Sequence, residues 1–524
     1  MAAALQQLNC SSIFDLQNCF NPHFYAYGQF PLYLGLVLLA LFKAHPGTTI
    51  TFEEAVIVLR VISAVASVAT VFVAVRILQA IGPRHISKAA IFVVSLLYVF
   101  SPALIQFAHF GTTESLLMLL FSSLVLFSVN FLQKKHSLRK FIYVSSLIGG
   151  IAIAVKVSSA SFMIVPLLAL VIYLHERKTA VGMRLLVLLE FGAFTCLVAA
   201  VFSPQNLISI KEFLGSLTYE TEVARGMEVF YTRSFFQTTP ILFQLETVFP
   251  FALGLPVLIL FLVGFFTLPY TKINNFLRLS FLAYFIPASF LFTKWTRFMA
   301  PVIPLMLIFC TLLLVTYLQK TKIRKVIMWA VVLICIVPGI AYMSIYISPD
   351  VRTSASVWID ANVPNKSHLL SETANVVDIP LPTETVGKTY DVTSFNFYEL
   401  DENPQLVGVL KNKLKEADYI LIPSRRIFAN HTCFGNFQFS IFNFRTVQKC
   451  QELKNKYPVL NEYYEKLFSG ELGFREVAKF SSYPQISAGG KSLFTVPDEK
   501  AEETWTVFDH PVIRIYKKVR QVDF

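Results

Sequence analysis

Residues 299–317 read MAPVIPLMLIFCTLLLVTY and carry no charged side chain. A helix needs about 20 mostly apolar residues to cross the roughly 30 Å hydrocarbon core of a bilayer, so this run is typical of a membrane span. Over all 524 residues the charged fraction is only 15% and the mean hydropathy is +0.58. Soluble domains carry about 25% charged residues. The composition therefore excludes an ordinary soluble protein and predicts a polytopic membrane protein.

Comparable apolar runs follow one another between residues 54 and 346, and we interpret ten of them as membrane-spanning helices. The fourth and fifth are short and meet at Lys156, as expected of a helical hairpin that turns at the membrane interface. The predicted fold is a helical bundle of about ten spans with a juxtamembrane helix. The ten runs cover residues 55–80, 88–106, 114–132, 140–155, 157–174, 184–202, 247–268, 278–293, 299–317 and 325–346.

The formal net charge of +12 comes largely from short loops between these runs, such as the one with Lys134, Lys135, Arg139 and Lys140. By the positive-inside rule, these basic loops are predicted to be cytoplasmic. We find no nucleic-acid-binding motif, so no nucleic-acid partner is predicted. The segments predicted to lie on the outer side are 1–54, 107–113, 203–246, 293–298 and 347–524.

This topology has a consequence for the N-terminus. Ten spans that end outside must also begin outside, yet no signal peptide precedes residue 1. The apolar run at 31–42 is too short for a comfortable span, and counting it would invert every loop. We therefore expect a first transmembrane helix upstream of Met1, missing from the sequence as given.

The outer segment before the first span contains the stretch NPHFYAYGQFPLY at residues 21–33. Its two prolines and Gly28 argue against one continuous helix. At the mouth of a bundle such a stretch can present Asn21, His23 and Tyr27 to a ligand. The alternative is an aromatic belt at the level of the lipid headgroups.

Glu114 follows two threonines and is predicted to lie in the first turn of a helix, where the helix dipole favours an anion. A carboxylate at the membrane boundary is costly unless it is solvated, paired or functional. His109 is close enough in sequence to share its pocket, although two such residues are too few to predict a metal site. The alternative role for Glu114 is helix capping.

Four basic residues of the sparsely charged outer face are candidates for binding an anion such as a phosphate. Residues 213–217 in the long 203–246 loop have the spacing of an amphipathic helix lying on the bilayer. Arginine suits phosphate contacts. The alternative is that these side chains meet the phosphates of membrane lipids. The four candidates are Arg225, Arg233, Lys294 and Arg297.

Four outer stretches agree in order and spacing with those of one family. They are Asn21-Pro22-His23-Phe24 with Pro31-Leu32-Tyr33-Leu34, Ser101-Pro102 with Gly111-Thr112-Thr113-Glu114, Ser203-Pro204 with Tyr219-Glu220 and Arg225-Gly226, and Arg297-Phe298-Met299-Ala300-Pro301. Together they resemble glycosyltransferase family 39, the protein-mannosyltransferase and aminoarabinose-transferase-like enzymes of the GT-C fold. The resemblance covers most of residues 20–345.

The resemblance implies that a polyprenyl-phosphate-linked sugar is the donor and that transfer to a lipid, glycan or protein acceptor takes place at the outer membrane face. Members of this family carry an acidic motif, usually Asp-Glu, in the first outer loop. In this chain it would fall upstream of Asn21, at or before Met1. We therefore expect Glu114 or Asp15 to take the catalytic place.

The transfer chemistry requires a base near the acceptor and cations for the departing phosphate. We expect Arg297, together with Lys294 or Arg225, to bind the phosphate, and His23 and Tyr27 to contact donor or acceptor. No CxxC or HExxH pattern occurs, so no structural metal site is predicted. No cofactor is predicted with certainty, and the use of a divalent metal is left open.

From residue 348 the composition becomes that of a soluble domain. We predict membrane residues 1–346 and an extracytoplasmic α/β domain at 347–524, with a buried strand at 417–423, a helix at 457–470 and strands at 474–480 and 505–517. His510 is interpreted as a turn residue. The sequence allows a disulfide between Cys10 and Cys19 and another between Cys433 and Cys450, and it does not establish either.

Two other classes of function compete with the transferase. A membrane transporter or lipid flippase is disfavoured, since we find no paired Gly/Pro-broken helices and no charge deep within a span. A non-catalytic relative, truncated at its acidic motif, would act as a scaffold. In each case the chain is predicted to be an integral protein of the cell membrane with its C-terminal domain outside.

Overall fold

The computed structural model describes residues 1–8, 14–42, 49–81, 87–227, 229–318, 321–372, 378–381, 388–434, 443–522 and 524. Contacts divide the chain into two compact units. The first comprises Met1–Ala224, Ala252–Leu291 and Arg297–Gly339. The second comprises Arg225–Phe251, Phe292–Thr296 and Ile340–Phe524. The C-terminal segment thus forms one unit with two stretches expected to be outer loops of the membrane part.

The first unit is a bundle of apolar helices, which confirms the polytopic helical class. Seven of the described helices are long and apolar enough to cross a membrane, or up to nine if each of two bent pairs is one span. The helices from the N-terminus to the end of the bundle are Ala2–Gln6, Phe30–Phe42, Phe52–Ile81, Lys88–Val99, Pro102–His109, Glu114–Leu132, Leu138–Val155, Val157–Met163, Ile164–Glu176, Val181–Phe202, Gln205–Ile208, Ile210–Arg225, Phe249–Ala252, Leu255–Thr267, Lys272–Phe290, Thr296–Val302, Ile303–Leu318 and Lys322–Ile347.

Two runs predicted as single spans are bent, at Pro102 and at Gly254, so the expectation that no helices are broken at Gly or Pro was wrong. The run at 88–106 consists of Lys88–Val99 and Pro102–His109, which meet at 59°. Proline removes a helix hydrogen-bond donor and restricts the residue before it, so the chain breaks before Pro102. The run at 247–268 is bent by 115°, between Gln244–Ala252 and Leu255–Thr267. There Gly254 adopts a φ of +85°, a conformation open to glycine.

The helix Lys272–Phe290 corresponds to the span predicted at 278–293, but it is not among the seven apolar helices or the two bent pairs. Its first turns contain Asn274 and Arg278, which lower its apolar content. Arg278 is buried and donates through Nε to the carbonyl oxygen of Phe265 at 2.7 Å. Together with the seven apolar helices and the two bent pairs, this helix occupies the position of the remaining predicted span.

The second unit contains a five-stranded mixed sheet in the order β2-β1-β3-β7-β4 and a separate two-stranded hairpin formed by β5 and β6. Strand β1 pairs parallel with β2 and β3, and β7 pairs antiparallel with β3 and β4. The strands are β1 His368–Glu372, β2 Asp391–Phe395, β3 Tyr419–Ile422, β4 Phe474–Phe480, β5 Gln485–Ala488, β6 Lys491–Thr495 and β7 Ile513–Lys518. The helices and helical turns of this unit are Arg233–Phe235, Gln244–Val248, Val351–Asn362, Pro404–Glu416, Arg426–His431, Asn443–Lys456, Pro458–Ser469 and Glu503–Val507.

Most predicted elements of the C-terminal domain are present. All four residues of β3 are buried, and the helix Pro458–Ser469 ends at Gly470, whose φ is +83°. The strand predicted from Trp505 begins only at Ile513, because Trp505 lies in the helix Glu503–Val507 and is buried there. A disulfide joins Cys433 to Cys450, as one of the two alternatives predicted. The other alternative involves Cys10, which lies outside the described residues.

Candidate active site

The N-terminal stretch at 21–29 is held in place by the buried side chain of Asn21. Its Nδ2 donates to the carbonyl oxygen of Gln17 at 2.9 Å and to Ser209 Oγ at 3.3 Å. Its Oδ1 accepts from the backbone N–H of His23 at 3.0 Å and from the Tyr25 hydroxyl at 2.9 Å. Asn21 therefore organises this segment, instead of presenting its amide to a ligand as the sequence suggested.

The same stretch is fixed at its other end by contacts with two distant segments. The backbone N–H of Gln29 donates to Ser203 Oγ at 3.1 Å, and that of Gly28 donates to the carbonyl oxygen of Val155 at 3.1 Å. A Cβ on Gly28 would lie only 2.0 Å from the carbonyl oxygen of Ala154. A glycine is therefore required here, because the two backbones touch, and this contact brings residue 27 beside residue 156.

Glu114 is the first residue of the helix Glu114–Leu132 and is only 3% exposed. The loop before it is held close to the helix Phe52–Ile81: the Ser63 hydroxyl donates to the carbonyl oxygen of Thr112 at 3.2 Å. The Ser115 hydroxyl donates to the carbonyl oxygen of Phe107 at 2.9 Å. A helix N-terminus is a favourable place for an anionic side chain. The prediction that Glu114 opens a helix is confirmed.

Lys156 lies between two membrane helices, Leu138–Val155 and the span that starts at Val157. Its Nζ is 5.0 Å from the ring centroid of Tyr27 and 5.3 Å from that of Phe298. The guanidinium carbon of Arg297 is 5.8 Å from the same Phe298 ring. Two cations and two aromatic rings thus form one half-buried group in the first unit.

The charges of this group act on one another. Burial lowers the pKa of Lys156 to about 8, with a further lowering from Arg297, against the opposite effects of Glu114 and Glu220. The pKa of Tyr27 is influenced most by Arg297, which lowers it, but burial together with Glu114 and Glu220 raises it on balance. Glu114, Lys156, Arg297 and Tyr27 therefore share one electrostatic environment, which we call the charged cluster.

Glu114, Arg297 and Tyr27 were each predicted from the sequence as site residues, whereas Lys156 was predicted only to lie at the turn of a helical hairpin. The signal was present, because a single lysine between two long apolar runs on a face poor in positive charge is unusual. The backbone at Phe298 is also fixed, since the Tyr284 hydroxyl donates to its carbonyl oxygen at 2.9 Å. Tyr284 gave no such signal in the sequence.

Three other candidates in the first unit are exposed. His23 has a φ of +48° and bonds through its backbone to Asn21. His109 ends the helix Pro102–His109, and its Nδ1 lies 2.7 Å from the carbonyl oxygen of Ile105. Asp15 accepts from the Asn18 side chain at 2.9 Å in a local turn. None of the three is buried with Glu114.

The remaining three candidates belong to the second unit. Arg233 forms an ion pair with Glu402, and its guanidinium carbon lies 4.6 Å from the ring centroid of Tyr457. Lys294 is buried and donates to the carbonyl oxygen of Phe292 at 3.1 Å, and burial lowers its pKa to about 8. Arg225 is exposed at the end of the helix Ile210–Arg225.

The charged cluster can bind an anion and hold a carboxylate beside it. Arg297 and Lys156 provide positive charge, and Glu114 can accept a proton or orient a nucleophile. Within the residues that the structure describes, no group of three or more His, Cys, Asp and Glu side chains could hold a metal ion. The cluster itself offers side chains for general acid–base and electrostatic chemistry.

No protein-family model matches the chain, and no curated protein matches it in sequence. Among solved structures, the chain is similar to ArnT from Cupriavidus metallidurans bound to undecaprenyl phosphate, at 14% identity and a TM-score of 0.46, over 76% of this chain and 83% of that one. It is similar to the Archaeoglobus fulgidus oligosaccharyltransferase in complex with Zn and sulfate, at 13% identity and a TM-score of 0.39, over 78% of this chain and 61% of that one. Similarity to the arabinofuranosyltransferase AftD from Mycobacteria reaches 12% identity and a TM-score of 0.38, over 89% of this chain and 35% of that one.

Proposed function

We propose that this integral membrane protein is a glycosyltransferase. It transfers a sugar from a polyprenyl-phosphate-linked donor to a nucleophilic group of an acceptor, at the outer face of the membrane. The observation that carries the proposal is the convergence of Glu114, Lys156 and Arg297 around Tyr27. The family resemblance of the four outer stretches supports the same activity.

The proposed reaction breaks the bond between the anomeric carbon of the sugar and the phosphate oxygen. As this bond breaks, negative charge grows on the leaving phosphate. Arg297 and Lys156 stabilise that charge, and their partial burial strengthens the interaction. Their charges are held in position before the donor binds, so little reorganisation is needed in the transition state.

A new bond forms at the same time between the anomeric carbon and the acceptor, whose proton must leave. Glu114, in the first turn of its helix, accepts this proton or orients the acceptor group. Tyr27, over whose ring Lys156 lies, contacts the donor beside the phosphate. In this proposal the C-terminal domain is extracytoplasmic and lies on the acceptor side of the membrane.

The experiment that tests the proposal compares Glu114→Gln with Glu53→Gln in the full chain reconstituted in nanodiscs. Glu53 also lies in the first turn of a helix, but it is exposed. A panel of synthetic polyprenyl-phosphate sugars is supplied with membrane-extract acceptors, and release of polyprenyl phosphate is measured. General acid–base catalysis is worth about 10²–10⁴-fold, so we expect a loss of that order for Glu114→Gln and none for Glu53→Gln.

Equal turnover by wild type and Glu114→Gln would refute the assigned role of this carboxylate. Absence of polyprenyl phosphate release with every donor of the panel, by a correctly folded wild-type protein, would refute the transferase proposal. If the intact donor instead crossed the bilayer of reconstituted vesicles, the transporter alternative would replace it.

A further inference from the structure

Strands β5 and β6 form a hairpin that is separate from the five-stranded sheet of the second unit. The two strands pair antiparallel, with Gln485 opposite Thr495 at the open end. The turn contains Gly489 and Gly490, whose φ values are +58° and +75°. An isolated two-stranded hairpin is at best marginally stable in water, so this hairpin needs a further surface to pack against.

All five residues of β6 are exposed, including two large apolar ones. Leu493 is 70% exposed and Phe494 is 42% exposed. Single exposed apolar residues are normal on a soluble surface. Two adjacent exposed apolar residues on a strand are less usual when no other layer covers the strand. Consecutive side chains of a strand point to opposite faces. Each face of β6 therefore exposes one large apolar side chain beside polar ones, as expected for a strand at the boundary between an apolar and a polar medium.

The open end of the hairpin is bound to the last membrane helix. The backbone N–H of Gln485 donates to Ser344 Oγ at 3.1 Å, and Ser344 lies in the last turn of the helix Lys322–Ile347. On this helix Ile340, Met343 and Ile347 are exposed and follow one another at spacings of three and four residues. Residues at this spacing share one helix face. The apolar, lipid-facing side of the span therefore continues to its last residue.

The hairpin thus begins at the level at which the lipid-facing side of the helix ends. Ile347, the last residue of the helix, is 77% exposed and extends this apolar face to the helix end. A strand advances about 3.3 Å per residue, and the hairpin strands therefore reach roughly 15 Å from the contact with Ser344. Lys491, at the start of β6, adds a positive charge beside the apolar pair.

We propose that the β5–β6 hairpin is a membrane anchor, with Leu493 and Phe494 inserted at the boundary between lipid headgroups and acyl chains. Its occupant is the bilayer surface, since the hairpin continues the lipid-facing side of the last span. Lys491 contacts lipid phosphates, as lysines do when their stems lie along apolar surface. The anchor fixes the hairpin at the end of the last span, and it is independent of the transfer reaction.

The test uses the full-length protein in nanodiscs, with one copy in each disc, and places a tryptophan at either of two exposed positions. Phe494→Trp probes the hairpin, and Val477→Trp is the matched control on β4. Emission is measured in phosphatidylcholine discs with and without bromine on the acyl chains, and the wild-type signal is subtracted. Interfacial side chains insert about 5–10 Å into the boundary region, so we expect about a twofold or greater loss of the added emission for Phe494→Trp and little loss for Val477→Trp.

Equal emission of Phe494→Trp in both kinds of disc would overturn the proposal, as would equal quenching of the two variants. A shift of the emission with protein concentration in detergent, without bromine quenching in discs, would instead indicate a contact with a second copy and would also overturn it. Leu493→Trp provides a second probe of the same strand, and a correctly anchored hairpin must give quenching there as well.

Discussion

The Nζ of Lys156 lies 5.0 Å from the centre of the Tyr27 ring, and this contact joins two parts of the chain that are 129 residues apart in sequence. The backbone bond from Gly28 to Val155 fixes it, because each residue of that bond is the immediate neighbour of one of the pair. A cation over an aromatic ring is stabilised by about 0.5–2 kcal/mol. The ammonium group is therefore held close to Arg297 although the two charges repel.

The activity should depend on the charge of Lys156. Because burial lowers the pKa of this lysine to about 8, the cation is lost as the pH rises through that value. We expect the rate of sugar transfer to fall above pH ~8 in the wild type. Arginine stays charged in this range, so Lys156→Arg should retain its own maximal activity to higher pH even if that maximum is lower. The measurement is a pH–rate profile in nanodiscs.

Lys211→Gln is the control for this profile, since Lys211 is exposed on the helix Ile210–Arg225. Its profile should match that of the wild type. If Lys156→Gln instead kept full activity at every pH, the negative charge on the leaving phosphate would not be stabilised by this lysine.

The sequence predicted the membrane part well because its signals are local. A run of about 20 apolar residues is decisive by itself, and so the helix Glu114–Leu132 was found with its bounds. The bend at Gly254 was missed, since a glycine inside an apolar run is also compatible with a straight helix. Trp505 was assigned to a strand because a short apolar stretch does not distinguish a strand from one turn of helix.

The candidate site was predicted only in part, because its members meet through long-range contacts. Glu114 and Arg297 stand out as charges beside apolar runs, and each can be proposed alone. That Lys156 joins them depends on the Gly28 contact, which no local pattern contains. Arg233 looked equally suitable from its sequence, and the structure pairs it with Glu402, 169 residues away, in the second unit.

The contact at Gly28 predicts a strong effect of a small substitution. In Gly28→Ala the new Cβ would lie 2.0 Å from a backbone oxygen, so the chain must shift, at a cost of about 1–3 kcal/mol in the free energy of unfolding. The shift also moves Tyr27 away from Lys156, and we expect activity to fall together with the thermal midpoint. Both are measured on the same purified sample.

Gly215→Ala is the matched control. Gly215 lies in the helix Ile210–Arg225, and among the described residues no heavy atom lies within 4 Å of its would-be Cβ. Alanine should stabilise that helix by about 0.5–1 kcal/mol. A loss of stability in Gly215→Ala equal to that in Gly28→Ala would show that the close backbone contact is not the cause.

The buried imidazole of His510 predicts how the stability of the second unit varies with pH. The sequence suggested a turn residue, but His510 is buried, with Nε2 at 2.7 Å from Asp498 Oδ2 and Nδ1 at 3.1 Å from Asp509 Oδ2. Asp509 Oδ2 also accepts from the hydroxyl of Tyr342 at 2.9 Å. Burial alone would lower the pKa of His510, but the two carboxylates raise it to about 9.

A group whose pKa is raised in the folded state stabilises the fold fully below its unfolded value, about 6.5 for histidine, and this stabilisation is lost as the pH rises through the folded value. We therefore expect the thermal midpoint of the wild type to fall relative to that of His510→Gln as the pH rises from ~6.5 to ~9. Unfolding is followed by the change in tryptophan fluorescence when Trp505 loses its ring contact with Tyr342. His368→Gln is the control, because His368 is exposed although it pairs with Asp391. Its difference from the wild type should stay nearly constant over the same range. A constant difference for His510→Gln as well would mean that Asp498 and Asp509 do not raise the pKa of the imidazole in the folded protein.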